Sequence, residues 1–289
     1  MKWSIPAKTF LLGEYAALEG ASALLVTTHP CFEIKLEKDK SSTGIHPESP
    51  AGLWWKKQEF IEHELGWFDP YKGCGGLGAS SAQFIGSYLA SCSLKQIPPT
   101  LSNMLEAYYN CAWNGQGLRP SGYDVIAQTQ YSCVYINKQK KQIHSYPWAF
   151  NDLSFFLIHT GTKLATHHHL QQATLPLNTQ ELSAIVDKAK DAFEQSNSSL
   201  FIQSINEYHQ QLVRLNLITE HSLHLIEELQ TYPEVLAIKG CGALGADILL
   251  IITLKGQAAC FKKNLVSLDK KILASETDLT QEKQKLLNL

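Results

Sequence analysis

Gly73-Cys74-Gly75-Gly76-Leu77-Gly78-Ala79-Ser80-Ser81-Ala82 places four glycines directly ahead of a stretch in which Phe84, Ile85, Tyr88 and Leu89 recur with helical spacing. That pattern stops at Pro98-Pro99, so the reading is a helix opening on a glycine-rich loop. Glycine lets a backbone turn tightly and approach a ligand with no Cβ in the way. Unpaired amides and the dipole at a helix start attract an anion. A nucleotide phosphate meets that description, and the hydroxyls of Ser80 and Ser81 could ligate Mg²⁺ or bond a phosphate oxygen. No Gly-Lys-Ser/Thr closes the loop, so it is not a Walker A sequence. Taken alone, it is as well read as an N-capped turn without a ligand.

Outward from this loop, the N-terminal side holds strand-like runs at Ala23 to His29 and Cys31 to Glu37, with Phe32, Ile34 and Leu36 on one face. Lys38 to Pro50 is rich in turn residues, and the aromatic cluster Trp54, Trp55, Phe60, Trp67 and Phe68 reads as core or rim packing. On the C-terminal side a second helix is expected around Leu101 to Trp113 and a strand at Tyr131 to Ile136. A continuous apolar strand at Leu153 to Ile158 opens a second half near residue 150. There Phe201, Ile205, Tyr208, Leu212 and Leu215 step by four, three, four and three, a core-facing stripe. Strands at Val235 to Ile238 and Asp247 to Leu254 precede a helical tail. Strands and helices mingle without a βαβ period, which predicts an α+β fold.

The 289 residues are 44% hydrophobic and 18% charged, with a formal net charge of −2. This supports a core of one large or two modest domains and argues against nucleic-acid binding driven by charge. No run reaches the roughly 18 apolar residues of a membrane span, and the N-terminus lacks an apolar segment ending in a cleavage site. Seven cysteines without a Cys-x-x-Cys pair read as free thiols, so a cytoplasmic protein is expected. His167-His168-His169 is a weak metal candidate, because adjacent side chains diverge.

Two further segments stand in register with the loop. Pro6-Ala7-Lys8-Thr9-Phe10-Leu11-Leu12-Gly13-Glu14-Tyr15 lies near the start, and Lys239-Gly240-Cys241-Gly242-Ala243-Leu244-Gly245-Ala246-Asp247 near the end. Together the three resemble, in order, the three motifs of the GHMP kinases, the superfamily of galactokinase, homoserine kinase, mevalonate kinase and phosphomevalonate kinase. Ser121-Gly122-Tyr123-Asp124 resembles the Ser-Gly-x-Asp stretch of the mevalonate-pathway branch, and Thr160-Gly161-Thr162-Lys163 with Thr166 its Thr-Gly-x-Lys-x-x-Thr element. Gly-Glu-Tyr, the Gln116-Gly117 pair and Asp247 are more like phosphomevalonate kinase than mevalonate kinase.

The resemblance implies a two-lobed fold, with a ribosomal-protein-S5-like ATP-binding lobe over residues 1–150 and a ferredoxin-like lobe over 151–289. It implies transfer of the γ-phosphoryl group of ATP, with Mg²⁺, to a small acceptor, phosphomevalonate first and mevalonate next. A diphosphomevalonate decarboxylase-like enzyme and a catalytically silent binding protein of the same fold are the alternatives. Asp124 and Lys8 would be catalytic, and Gly75, Gly76, Leu77, Gly78, Ala79, Ser80 and Ser81 would hold the nucleotide, with Ser80 or Ser81 at the metal. Glu14, Tyr15, Arg119, Ser121, Gly122, Lys163 and Gly242 would face the acceptor, with Arg119, Lys72 and Lys163 as cations for its phosphate. The expected partner is a small molecule, with no nucleic acid and no membrane, and the chain a monomer or homodimer. Three positions depart from the pattern: Ala79 precedes the serine pair, Trp113 stands where mevalonate kinases carry a metal-binding Glu, and Leu244 replaces a glycine.

Overall fold

The computed structural model describes residues 1–38, 44–60, 62–161 and 179–281. Its first sheet is organised by one long strand. β1 (Lys2–Leu12) pairs antiparallel with β2 (Ala23–Glu37) over nearly its whole length. The early part of β2, Ala23 to Val26, also pairs with β4 (Cys133–Asn137), and its last part, Glu33 to Glu37, with β3 (Glu64–Phe68). β5 (Gln142–Tyr146) lies beyond β4. The two runs expected as separate strands are therefore one. Its register shifts around His29 to Cys31, opposite Pro6, which has no amide to donate to the ladder.

Four helices accompany this sheet: α1 (Pro50–Lys57), α2 (Ala79–Lys95), α3 (Leu101–Ala112) and α4 (Tyr123–Gln128). Their starts follow local rules. Ser49 caps α1, accepting from the Gly52 amide with Pro50 at the first position, and Thr100 caps α3 by accepting from the Asn103 amide. The expected face of α2 is buried at Phe84, Ile85, Tyr88 and Leu89. The aromatic cluster is packing, as expected: Trp54 lies against Phe84 and Tyr88 and donates to Ser91 Oγ at 3.1 Å, while Trp67 stacks on Phe32 at 5.2 Å. Phe68 is exposed.

The second sheet has the order β7 (Val235–Cys241), β8 (Ile248–Leu254), β6 (Leu153–His159), β9 (Ile272–Ser275), again antiparallel throughout. With it go α5 (Thr179–Gln195), α6 (Ser198–Arg214), α7 (Glu220–Gln230) and α8 (Lys255–Ser267). The stripe Phe201, Ile205, Tyr208 and Leu212 of α6 is fully buried. The fold is two-lobed α+β, but one apolar core joins Leu24, Val26 and Tyr135 of the first sheet to Leu182, Phe201, Phe155 and Leu250. The chain also crosses back after β9, where Leu279 bridges Thr28 and the Thr280 amide donates to Thr27 O at 3.0 Å. Among the described residues no disulfide joins any of the seven cysteines. Among the described residues no helix is long and apolar enough to cross a membrane.

Candidate active site

Lys8 lies in β1 with its side chain 8% exposed, and its ammonium stands 3.0 Å from Asp124 Oδ1. Asp124 occupies the first turn of α4 and is 35% exposed, so the buried cation presents a carboxylate that is open on one side. α4 can start there because Gly122 takes φ +74°, and a Cβ at Gly122 would stand 2.4 Å from the Tyr109 hydroxyl. That hydroxyl donates to Ser121 O at 2.8 Å, and Ser121 Oγ accepts from the Tyr123 amide at 3.3 Å. Ser121 and Gly122 thus shape the turn that carries Asp124.

The glycine loop is held against the same pair. The Lys8 amide donates to Leu77 O at 3.0 Å. Gly78, the residue before α2, has φ +80° and offers no side-chain cap, so the first amides of α2 are left for an incoming group. There is no room for a Cβ at three of the loop's glycines. One at Gly78 would meet Lys8 Cγ at 2.9 Å, one at Gly76 would meet Ile248 Cδ1 at 2.8 Å, and one at Gly75 would meet the Asp247 carboxylate at 2.7 Å. At Gly75, Gly76 and Gly78 only backbone therefore fits against these neighbours.

The two serines differ. Ser81 is buried and donates to Gln128 Oε1 at 2.6 Å, while Gln128 Nε2 donates to Pro6 O at 2.7 Å. Ser81 is a clamp joining α2, α4 and β1. Ser80 is exposed on the first turn of α2. Gln128 was not singled out from the sequence, although it lies one helical turn beyond Asp124 on the same face.

The first and third motifs meet across the lobes. Tyr15 Oη accepts from the Leu244 amide at 2.9 Å, and burial pushes the Tyr15 phenol up to about 12. Leu244 has φ +53° and ψ +21°, the left-handed conformation that the expected glycine adopts without strain. Gly242, with φ +85°, has open space beside it. The Glu14 side chain is 5% exposed and its carboxylate is bonded by Lys239, which is fully buried. Glu14, expected at the acceptor, thus ties the turn after β1 to β7 through this pair. Arg119 is exposed, with its guanidinium 3.9 Å above the Tyr109 ring. Trp113 donates to Gln116 O at 3.0 Å, so no carboxylate stands at that position. Lys72 is exposed. Lys163, Thr162, Thr166 and His167 to His169 lie outside the described residues. Among the described residues no group of three His, Cys, Asp or Glu could hold a metal.

No family model matches the sequence, and no curated protein matches it. Solved structures do. The mevalonate kinase of Methanococcus jannaschii superposes with a TM-score of 0.73, at 15% identity over 98% of both chains. The phosphomevalonate kinase of Streptococcus pneumoniae, in complex with phosphomevalonate and AMPPNP, gives 0.74 at 18% identity, covering 95% of this chain and 99% of that one. The galactokinase of Lactococcus lactis, complexed with galactose, gives 0.75 at 12% identity over 98% and 93%. The chain has the GHMP kinase fold. Within the GHMP kinase fold residues of its three quoted motifs come together: Lys8 from the first lies beside Gly78 of the second, and Asp247 at the end of the third lies beside Gly75 and Gly76.

Proposed function

We propose that this chain is an ATP-dependent small-molecule kinase acting on a mevalonate-pathway acceptor, phosphomevalonate first and mevalonate next. The observation that carries the reading is the Lys8–Asp124 pair at 3.0 Å, set beside a glycine-rich loop that opens a helix. Phosphoryl transfer asks chiefly for positioning and charge stabilisation. In this reading the loop amides and Ser80 grip the triphosphate of ATP. Asp124 orients or deprotonates the attacking oxygen, and Lys8 stabilises the charge that develops on the migrating group. Mg²⁺, when bound, supplies further neutralisation of the phosphates. Ser80 would hold it together with phosphate oxygens, a donor set in keeping with an ion that binds through few protein groups and its substrate.

Phosphomevalonate is placed first because of Gly13-Glu14-Tyr15, Gln116-Gly117 and Asp247, and because Arg119, Lys72 and Lys163 offer cations for an acceptor phosphate. Free thiols favour the cytoplasm. ADP release measured across phosphomevalonate, mevalonate, homoserine and galactose tests the reading. CO₂ release from mevalonate diphosphate would instead mark a decarboxylase, and no thermal stabilisation by ATP·Mg²⁺ would mark an inert binding protein. Lys8→Met and Asp124→Asn are expected to lower turnover at least about a hundred-fold while ATP·Mg²⁺ still stabilises the protein. A variant of either residue with full turnover removes that residue from the mechanism.

A further inference from the structure

Gln128 is fully buried, and both hydrogens of its side-chain amide have a carbonyl to meet. Nε2 donates to Pro6 O at 2.7 Å and to Gly78 O at 3.2 Å, while Oε1 accepts from Ser81 Oγ at 2.6 Å. The Ser81 hydroxyl also lies 2.9 Å from Gly78 O, and its shorter contact is the one to Gln128. Turning the amide over would set Oε1 against two carbonyl oxygens, so the site accepts one orientation. It also accepts one chemistry: a carboxylate has no hydrogen to donate, a hydroxyl has one, and a lysine or arginine has no acceptor. The arms end on three parts of the site. Pro6 lies in β1 two residues before Lys8, at the register shift between Ile5 and Ala7. Gly78 closes the glycine loop, and Ser81 stands in the first turn of α2. Gln128 itself ends α4, one helical turn beyond Asp124. The fit leaves no slack, since a Cβ at Gly78 would stand 3.0 Å from Nε2. Two other bonds join these parts, from the Lys8 amide to Leu77 O and from the Lys8 ammonium to Asp124. The ammonium must turn to a phosphate when one arrives, whereas the bonds of Gln128 go to backbone and to Ser81 and can stay as they are.

We propose that Gln128 is a positioning residue for the transfer step, an inference that rests on the kinase reading. Its amide sets the glycine loop and the start of α2 at a fixed distance from Lys8 and Asp124, so that a phosphoryl group held by the loop faces the oxygen that Asp124 orients. Gln128 touches neither nucleotide nor acceptor. It acts through Gly78 and Ser81 on one side, and through Pro6 and its own helix on the other.

The test is Gln128→Met, which keeps the length of the side chain and removes all three bonds, assayed with the best acceptor at a temperature where circular dichroism shows the variant folded. Its kcat is expected to fall at least about ten-fold, because misplacing reacting groups by about an ångström costs up to about a hundred-fold. KM for ATP is expected to stay within about two-fold of wild type, since the amides of the loop and of α2 remain. Gln128→Glu serves where Gln128→Met does not fold. It keeps the shape and the acceptor for Ser81 but, neutral or charged, cannot donate to both carbonyls, and the same split between kcat and KM is expected. Wild-type kcat in the folded variant, with only its melting temperature lowered, overturns the proposal and leaves Gln128 as packing. A raised KM for ATP at unchanged kcat overturns it as well, and makes Gln128 part of nucleotide binding. A crystal structure of the variant reads the spacing without turnover. Gly78 is expected to move by about an ångström relative to Asp124, and an unmoved loop overturns the proposal. A wild type that phosphorylates no acceptor overturns the kinase reading instead, a result the crystal structure keeps separate.

Discussion

Substituting Gly78 by alanine puts the loop to a sharp test, because Gly73 provides a matched control. Both glycines have left-handed backbone, φ +80° and φ +83°, so alanine at either carries a strain of about 1 kcal/mol. Their surroundings differ. A Cβ at Gly73 meets nothing within 4 Å, whereas one at Gly78 lies 2.9 Å from Lys8 Cγ, 3.0 Å from Lys8 Cε and 3.0 Å from Gln128 Nε2. Lys8 is buried and bonded to Asp124, so it cannot swing aside without moving its ammonium. Overpacking of this kind costs about 1–3 kcal/mol beyond the strain. At about 2–4 °C per kcal/mol, Gly78→Ala should melt several degrees below Gly73→Ala. Displacing a catalytic group by an ångström costs on the order of a hundred-fold in rate. Gly78→Ala should therefore lose about that much in ADP release with the best acceptor, and Gly73→Ala little. Equal melting temperatures and equal kcat in the two variants would refute the idea that Gly78 is there to make room for Lys8.

The serine pair gives a crossed prediction. Ser81→Ala strips Gln128 Oε1 of its donor and should lower stability by about 1–2 kcal/mol in thermal denaturation, with stabilisation by ATP·Mg²⁺ retained. Ser80→Ala should leave the free protein's melting point alone and shrink the nucleotide-induced shift; the opposite pattern would exchange their roles. Asp187 in α5 answers to pH. Burial opposes its charge, but hydrogen bonds from Lys140, Ser22 and Tyr135 outweigh this and hold its pKa below the ordinary 3.8. A depressed carboxylate stabilises the fold above its unfolded value and loses that contribution as pH falls through the folded one. Melting temperature should therefore drop below about pH 4 in wild type and fall less steeply in Asp187→Asn, which starts lower at neutral pH. Parallel curves for the two proteins would show that the Asp187 cluster carries no such linkage.

What could be read from the sequence was whatever lies within a few residues of itself. The glycine loop and the helix behind it, the buried stripe of α6 and the apolar runs of β6 and β8 obey periodicities of two or 3.6, and each such run holds its own backbone pattern. Three motifs in order were enough to anticipate the GHMP kinase fold and to point to Lys8 and Asp124, which the fold brings within 3.0 Å.

Partners set by packing were not legible. The continuity of β2 past His29 and Pro30 depends on β1, β3 and β4 binding its two halves, not on the residues of the bend. Ser80 and Ser81 are neighbours of the same type, and only the arrival of Gln128 from α4 buries one and leaves the other exposed. Glu14 looks from its motif like a residue for the acceptor, yet Lys239 claims it from the other lobe. The sequence by itself determined which segments could turn, coil or extend. The tertiary structure decided which polar groups are paired away from water and which stay open, because a buried charge takes whatever partner the packed lobes bring to it, however distant along the chain.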